Sequence, residues 1–202
     1  MKTKPNKIAA IILAAGSGKR ISQLGPKPLL CFEGKTFIEI ALDRVTQAGC
    51  NPIKIITNAV LLPKLNALEL KTDILVNPNP GMGMLSSIQC GIDALSREAG
   101  GFFLVPIDYP LVKLSTFMKI RAMHSRDPDA IIRPNYRGKS GHPVIFPLAM
   151  FDEFKKMTPQ TAQNYLAQMD CHRCRDIDVD DPGININVNT SDIYFKFCAK
   201  KI

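Results

Sequence analysis

The sequence predicts an α/β protein with a mostly parallel central sheet and helices on both of its faces. Strand-length apolar runs alternate with helix-length amphipathic runs, which is the pattern of such a sheet. The first run, Ile8 to Ala15, is apolar throughout, as expected of a strand buried on both faces. At 202 residues, the chain is long enough for one well-buried domain and too short for two complete ones.

The first 126 residues contain most of the predicted alternation. Strands are predicted at Ile8–Leu13, Ile53–Thr57, Asp73–Val76 and Phe102–Pro106, and helices at Phe37–Gln47, Val60–Leu68, Leu85–Arg97 and Leu114–Ser125. In sheets of this kind, ligands bind beyond the carboxyl ends of the strands. We therefore look for a binding site in the loops that follow these strands.

The pattern changes after about Asp127. The second part is predicted to contain strands at Ala130–Arg133 and Pro143–Phe146, a helix at Phe151–Met169, a strand near Asp176–Val179 and a short tail helix. A polar loop joins the first two of these strands. Because no linker separates the two parts, we predict a single domain over residues 1–202, with halves at 1–126 and 127–202.

The charge of the chain favours small anionic partners. The sequence has 26 Lys and Arg against 18 Asp and Glu, a formal charge of +8, which attracts phosphorylated ligands. The basic residues are scattered rather than clustered, so we expect no nucleic-acid partner. No apolar run approaches the roughly 18 residues needed to span a bilayer, so no membrane partner is expected either.

The N-terminus and the cysteines bear on location. Three lysines before Ile8 resemble the start of a secretory signal, but a buried strand explains the short apolar run without cleavage. The six cysteines lack the spacing of a disulfide framework, and the Cys171–Cys174 pair lacks the second pair that a zinc site needs. We expect reduced thiols and a cytoplasmic protein.

The glycine-rich turn Leu13–Arg20, LAAGSGKR, fails two familiar phosphate-loop patterns. A Walker A loop needs glycine at the position of Leu13 and a hydroxyl residue where Arg20 stands. A dinucleotide loop needs a third glycine where Ile21 stands, and an acidic residue at the end of the second strand, which Ile53–Thr57 lacks.

A third pattern fits this turn. LAAGSGKR, followed by PKPLL at 26–30, resembles the signature of MobA-like nucleotidyltransferases, which join an NTP to a phosphorylated acceptor. The resemblance implies a Rossmann-like three-layer α/β/α nucleotidyltransferase fold, with residues 1–126 as the nucleotide-binding half and 127–202 as the acceptor-side half. The loop residues implied to bind nucleotide are Leu13, Ala14, Ala15, Gly16 and Gly18. Arg20 and Lys27 are the implied catalytic cations, since positive charge stabilises a phosphoryl group under attack.

A second stretch supports the same resemblance. Gly83-Met84-Leu85-Ser86-Ser87-Ile88 is similar to an element of the molybdenum-cofactor cytidylyltransferase branch. The similarity implies nucleotide-binding roles for Gly83, Ser86 and Ser87. A plain helix cap is the alternative role for the two serines.

Two further stretches imply a metal site. Asp108-Tyr109-Pro110-Leu111-Val112 is similar to the family's Asp-Met/Gln-Pro-Leu-Val, and Asp108 follows a predicted strand. Mg²⁺ is commonly held by one or two carboxylates and substrate phosphates, although a turn-forming aspartate is the alternative. Residues 186–192 resemble a late acidic motif whose first position shares the metal. Here that position is Asn187, a neutral ligand, and Asn189 replaces the second acidic residue.

The last stretch, Gly141-His142-Pro143-Val144-Ile145-Phe146, matches a family element near the acceptor. His142 is therefore either an acceptor-binding residue or a structural one, and the sequence does not separate the two.

The expected activity is CMP transfer from CTP to a phosphorylated acceptor, with molybdopterin as the favoured acceptor and Mg²⁺ as the cofactor. A molybdoenzyme or its chaperone is a possible receiving partner. The LAAG and GMLSSI stretches favour cytidine, whereas NVNT at 187–190 favours guanosine. A sugar-phosphate or polyol-phosphate acceptor and a non-catalytic nucleotide-binding chaperone remain as alternatives.

Overall fold

The strands and helices follow the predicted alternation. The computed structural model describes residues 7–16, 18–95, 99–158 and 173–199. The strands are β1 (Ile8–Leu13), β2 (Cys31–Phe32), β3 (Lys35–Thr36), β4 (Ile53–Thr57), β5 (Asp73–Val76), β6 (Gly101–Pro106), β7 (Ile131–Tyr136), β8 (Lys139–Ser140), β9 (Val144–Pro147) and β10 (Cys174–Asp178). The α-helices are α1 (Phe37–Gln47), α2 (Leu62–Asn66), α3 (Met84–Asp93), α4 (Leu114–Arg126), α5 (Met150–Lys156) and α6 (Ser191–Phe197). Arg97, Cys171 and the end of the helix predicted at Phe151–Met169 lie outside the described residues.

The main sheet has the strand order β10-β7-β9-β6-β1-β4-β5, and β8 pairs with β7. Strand β1 is parallel to both of its neighbours, β6 and β4, and β5 continues in the same direction. Strand β9 is antiparallel to both β6 and β7. The predicted α/β fold with a mostly parallel sheet is confirmed.

Strand β1 lies at the centre of two apolar layers. Ile8 and Ile12 pack on one face of the sheet with residues of α1 and α4. Ile11 and Leu13 pack on the opposite face with residues of α3 and α5. This two-sided burial explains why β1 lacks polar alternation.

Close packing around β1 also fixes helix α3. A Cβ built at Gly91 would lie 2.6 Å from Cγ2 of Ile11, which no real side chain tolerates. Glycine therefore lets α3 approach the strand directly. Helix α1 is fixed differently, by a capping box in which Thr36 and Glu39 each accept a hydrogen bond from the other's backbone N–H.

The structure bears on two expectations, the absence of a membrane-spanning segment and the reduced state of the cysteines. Within the described ranges, no helix is both long and apolar enough to cross a membrane. Cys31, Cys50, Cys90 and Cys198 are free thiols, as expected. The expectation of reduced thiols is wrong for Cys174, which is disulfide-bonded.

Candidate active site

The loops that follow β1, β4 and β5 enclose a cavity of about 900 Å³, which we call the first cavity. Because these strands are parallel, their carboxyl ends open on one edge of the sheet. The residues that line it are Ala15, Gly16, Ser22, Gly25, Pro26, Lys27, Asn58, Ala59, Val60, Leu61, Val76, Asn77, Pro78, Pro80, Gly81 and Gly83. Four of the predicted site residues, Ala15, Gly16, Lys27 and Gly83, thus line the same cavity.

The glycine loop leaves β1 through a buried section and then opens to solvent. Leu13, Ala14 and Ala15 are buried, and the Ala14 N–H donates to the Ile56 carbonyl of β4 at 2.8 Å. Gly16 is exposed, with no atom within 4 Å of a built Cβ. Its open flank would let a ligand approach the backbone closely.

Gly18 turns the loop into the following 3₁₀ helix, Lys19–Leu24. Its φ of 54° lies in the left-handed region, which favours glycine. The Gly18 carbonyl accepts a hydrogen bond from the Ile21 N–H at 2.9 Å. Arg20 lies on this 3₁₀ helix and is exposed.

Lys27 lies between the glycine loop and the late segment of the chain. Its ammonium donates to Oδ1 of Asn189 and lies 3.6 Å from Oδ2 of Asp108. Burial lowers the pKa of Lys27, an effect that the Asp108 carboxylate opposes and the nearby Arg20 charge reinforces. The fold thus places Lys27 close to Asp108, the one predicted acidic ligand, and the Arg20 charge near Lys27.

Two asparagines that sequence analysis missed shape the first cavity. The amide nitrogen of Asn58 donates to the Ala15 carbonyl at 3.1 Å, and its oxygen accepts from the Leu61 N–H at 3.0 Å. These bonds join the loops after β1 and β4. Asn77, which follows β5, instead bonds to its own turn at Asn79 and to Ser86 and Ser87 at the start of α3. Each follows a parallel strand directly, and that position was the available sequence signal.

The two serines of the 83–88 stretch form hydrogen bonds within the protein. Asn77 Nδ2 donates to the hydroxyls of Ser86 and Ser87, at 2.9 and 3.0 Å. Ser86 lies within reach of the Asn79 and Gly83 carbonyls, at 3.0 and 2.9 Å, and lines a separate cavity of about 340 Å³. These bonds hold the turn around Gly83, and direct contact between either serine and a nucleoside stays a prediction.

The two predicted metal ligands, Asp108 and Asn187, lie on segments that a backbone hydrogen bond joins. Asp108 lies two residues beyond the end of β6, and its carbonyl accepts from the Val188 N–H at 2.8 Å, which brings Asn187 beside it. Asn187 Nδ2 donates to the Tyr109 hydroxyl at 3.2 Å, while its buried Oδ1 has no hydrogen-bond partner among the described residues. An orphaned buried oxygen, on the segment that is hydrogen-bonded to the Asp108 backbone, suits a hard cation such as Mg²⁺.

The acidic content of this site is low. In the described part of the chain, no three His, Cys, Asp or Glu side chains are grouped so as to hold a metal ion. A cation here would use Asp108, Asn187 and oxygens of a bound substrate. That donor set fits Mg²⁺, which commonly keeps only one or two protein carboxylates.

A second cavity, of about 530 Å³, includes Tyr109, the residue that follows Asp108, in its lining. It is lined by Met84, Leu104, Tyr109, Arg133, Lys139, Ser140, Gly141, His142, Val144, Phe146, Asn185 and Asn187. The His142 and Tyr109 rings lie 4.8 Å apart. Burial lowers the pKa of His142 and raises that of Tyr109, so both are neutral near pH 7. Nδ1 of His142 is buried without a hydrogen-bond partner among the described residues.

Two basic residues, Arg133 and Lys139, line the second cavity in different settings. Arg133 makes two bonds to the Asp176 carboxylate, at 2.8 and 3.1 Å, and Ser140 donates to the same carboxylate at 3.0 Å. Lys139 is exposed at the rim. The cavity therefore has an apolar and aromatic floor and a polar rim.

Two relatives can be aligned with about two thirds of this chain. Nicotine blue oxidoreductase of Paenarthrobacter nicotinovorans is 28% identical over 146 residues, which cover 68% of this chain and 70% of that protein. Molybdenum cofactor cytidylyltransferase of Escherichia coli K12 is 29% identical over 140 residues, which cover 68% and 69%. Two relatives at nearly equal identity thus have names from different enzyme classes.

The fold of this chain is similar, over almost its whole length, to that of a solved structure. The Rv0371c structure from Mycobacterium tuberculosis H37Rv superposes with a TM-score of 0.81 at 25% identity, covering 94% of this chain and 97% of that one. A second structure of Rv0371c is a manganese complex, with a TM-score of 0.77 at 24% identity, covering 95% and 97%. The model of the MobA-like NTP transferase domain matches residues 10–174. With that match over most of its length, the chain belongs to the MobA-like NTP transferase domain family.

Proposed function

We propose that this protein transfers CMP from CTP to a phosphorylated acceptor and releases pyrophosphate. The observation that supports this most directly is the meeting of two cavities at one charged centre. Lys27 lines the first cavity and Asn187 lines the second, and Asp108 contacts the segments of both. A donor in one cavity and an acceptor in the other would face each other across Asp108.

On the nucleotide side, backbone N–H groups and cations would hold the triphosphate. The loop around Gly16 and Gly18 would cradle its oxygens, and the Lys27 ammonium would bond to the α-phosphoryl group as negative charge accumulates there. Arg20 would add charge from the edge of the loop. CTP is the preferred nucleotide in this proposal because the two stretches that favour cytidine surround the first cavity.

Asp108 and Asn187 would hold Mg²⁺ through their oxygens. When bound, this ion neutralises phosphate oxygens and so lowers the barrier to attack at phosphorus. The Val188–Asp108 backbone bond keeps the two ligands together before substrate arrives. In this proposal, residues 1–126 supply most of the nucleotide contacts and 127–202 most of the acceptor contacts.

On the acceptor side, the second cavity favours a planar heterocycle that has a phosphate group. The Tyr109 and His142 rings offer a stacking surface, and Leu104 and Phe146 add apolar walls. Lys139 at the rim suits a phosphate. These features support a pterin phosphate such as molybdopterin over a sugar or polyol phosphate, which needs more hydrogen-bonding partners than this floor offers.

The transfer itself needs no covalent intermediate. An oxygen of the acceptor phosphate forms a bond to the α-phosphorus of CTP, and the bond from that phosphorus to the β-phosphate bridging oxygen breaks. Pyrophosphate leaves with the electron pair of that bond. No proton has to be taken from the attacking phosphate, because its oxygens are already ionised near pH 7. The protein's contribution is to position the two reactants and to neutralise charge.

A thermal-shift series tests the nucleotide assignment first. The ligands are CTP, GTP, UTP and ATP, each with and without Mg²⁺, together with NADH and NADPH because one relative is named an oxidoreductase. A ligand at about 100 times its Kd stabilises the fold by roughly 2.7 kcal/mol, which such a scan detects. We expect a Mg²⁺-dependent shift with CTP. A shift with GTP alone would favour the guanosine alternative, and a shift with only a dinucleotide would contradict nucleotidyl transfer.

Pyrophosphate release then tests catalysis. We expect release only when CTP and a phosphorylated acceptor are both present, and a panel of pterin, sugar and polyol phosphates identifies the acceptor. Asp108→Ala should abolish release while the protein remains folded. Wild-type turnover in folded Asp108→Ala would exclude the metal role, and CTP binding without release for any acceptor would favour the chaperone alternative.

A further inference from the structure

The amide of Asn187 has two chemically different ends, and only one of them can face a cation. Its Nδ2 donates to the Tyr109 hydroxyl at 3.2 Å, and its Oδ1 is buried with no hydrogen-bond partner among the described residues. We infer that Tyr109 is a positioning residue, which fixes the Asn187 amide with its oxygen directed to the cation site beside Asp108. This inference rests on the metal role proposed above for Asn187.

The need for such a residue follows from the chemistry of an amide. A carbonyl oxygen binds a divalent cation, whereas the NH₂ group of the same amide repels it. A carboxylate has two equivalent oxygens and needs no orienting partner. Position 187 is acidic in the motif that this segment resembles, so the asparagine of this chain introduces a requirement that an aspartate does not have.

The surroundings of Tyr109 let it fulfil that requirement. Its ring is held against the His142 ring at a centroid distance of 4.8 Å, so the phenol oxygen is directed to a definite place. Asp108 precedes it in the chain, and the Val188–Asp108 backbone bond fixes the other partner, Asn187, in register. Both residues are therefore anchored independently, and their hydrogen bond needs little further ordering.

The experiment measures Mn²⁺ affinity by the EPR signal of the free ion, with the intact protein and no acceptor, first with Mn²⁺ alone and then with CTP present. Four proteins form a double-mutant cycle: the wild type, Tyr109→Phe, Asn187→Asp and the double variant. Phenylalanine keeps the ring and removes only the hydroxyl. Loss of a partner that orients a metal ligand typically weakens metal binding 10- to 100-fold, so we expect Tyr109→Phe to weaken Mn²⁺ binding by at least about tenfold.

The Asn187→Asp background separates orientation from packing. Because a carboxylate needs no orienting hydroxyl, we expect Tyr109→Phe to change the Mn²⁺ affinity of Asn187→Asp by less than about twofold. Tyr194→Phe is the matched control, since it removes a phenol bond of 3.0 Å to the Cys31 carbonyl, and it should leave Mn²⁺ affinity unchanged.

The other outcomes contradict the inference in distinguishable ways. Equal losses in the asparagine and aspartate backgrounds would mean that Tyr109 acts through packing. Unchanged affinity in Tyr109→Phe, with Mn²⁺ still bound, would overturn the inference and leave the metal role intact. No Mn²⁺ binding to the wild type, with or without CTP, would overturn the metal role and this inference with it.

Discussion

Replacing Lys27 by methionine should strengthen metal binding and impair turnover at the same time. The Lys27 ammonium lies 3.6 Å from the Asp108 carboxylate that we propose as a metal ligand. A divalent cation on Asp108 would therefore be close to a second positive charge. Methionine keeps most of the length and apolar volume of the lysine stem and removes that charge.

The size of the effect follows from the separation of the two charges. A pair of unit charges at 3.6 Å interacts by about 1 kcal/mol in bulk water and by about 5 kcal/mol at an effective dielectric constant of about 20. The exposed fractions of the two side chains are 12% for Lys27 and 19% for Asp108, so the site is nearer the second limit. Even the lower figure corresponds to about a fivefold change in affinity.

The assay is Mn²⁺ binding without nucleotide, paired with pyrophosphate release under saturating substrates. We expect Lys27→Met to bind Mn²⁺ at least about fivefold more tightly. Turnover should fall by a factor of about 10² to 10³, the usual cost of removing one group that stabilises transition-state charge. General damage to the fold would weaken both properties, so the opposite signs are diagnostic.

Lys35→Met is the control for the change in net charge. Lys35 pairs with Asp43 of α1 and its side chain is 58% exposed, so its loss should leave Mn²⁺ affinity unchanged. Unchanged or weaker Mn²⁺ binding in Lys27→Met would refute the reasoning, because it would show that Lys27 and the cation do not share Asp108.

Two further predictions concern stability and thiol chemistry. Asp181 is 1% exposed and accepts hydrogen bonds from two backbone N–H groups and one hydroxyl. Asp181→Ala should therefore lower the free energy of unfolding, measured by urea titration, by about 3 kcal/mol or more. Asp180 is exposed, so Asp180→Ala should lower it by far less. Iodoacetamide at pH 8 should modify exposed Cys31 well before Cys50, as mapped by mass spectrometry, since burial raises the pKa of Cys50 to about 12. Because this folded-state pKa exceeds that of an unfolded thiol, the free energy of unfolding should fall as pH rises from about 9 toward 12, and a flat profile there would contradict the burial of this thiol.

The parts of the fold that sequence analysis predicted are those determined by local composition. Strand β1 and helix α1 have the bounds predicted for them, because burial of each segment depends on its own side chains. The hairpin of β2 and β3 was not predicted. Each strand has only two residues, and the turn depends on positive φ at Glu33, 51°, and Gly34, 83°, which no apolar pattern marks.

The residues of the candidate site also fall into those that the sequence predicted and those that it did not. Lys27 and Asp108 were predicted because each lies in a stretch whose residue types and order form a motif. The roles of Asn58 and Tyr109 were not, because each depends on a partner far along the chain: Asn58 bonds to Ala15, 43 residues away, and Tyr109 to Asn187, 78 residues away. Sequence marks which side chains have useful chemistry, whereas the direction in which an amide faces is decided by contacts made only on folding.

In the proposed function, the charges of Lys27 and Asp108 would link metal binding to nucleotide binding. Without a cation, the Lys27 ammonium is engaged by Asp108 and by the neutral amide of Asn189, so its charge is largely offset. A cation on Asp108 would offset the carboxylate instead and leave the ammonium available to a triphosphate. Each ligand would then improve the site for the other, and by thermodynamic linkage the two enhancements must be equal. Neutral side chains at 187 and 189 strengthen this coupling, because further carboxylates there would absorb part of the positive charge that the triphosphate needs.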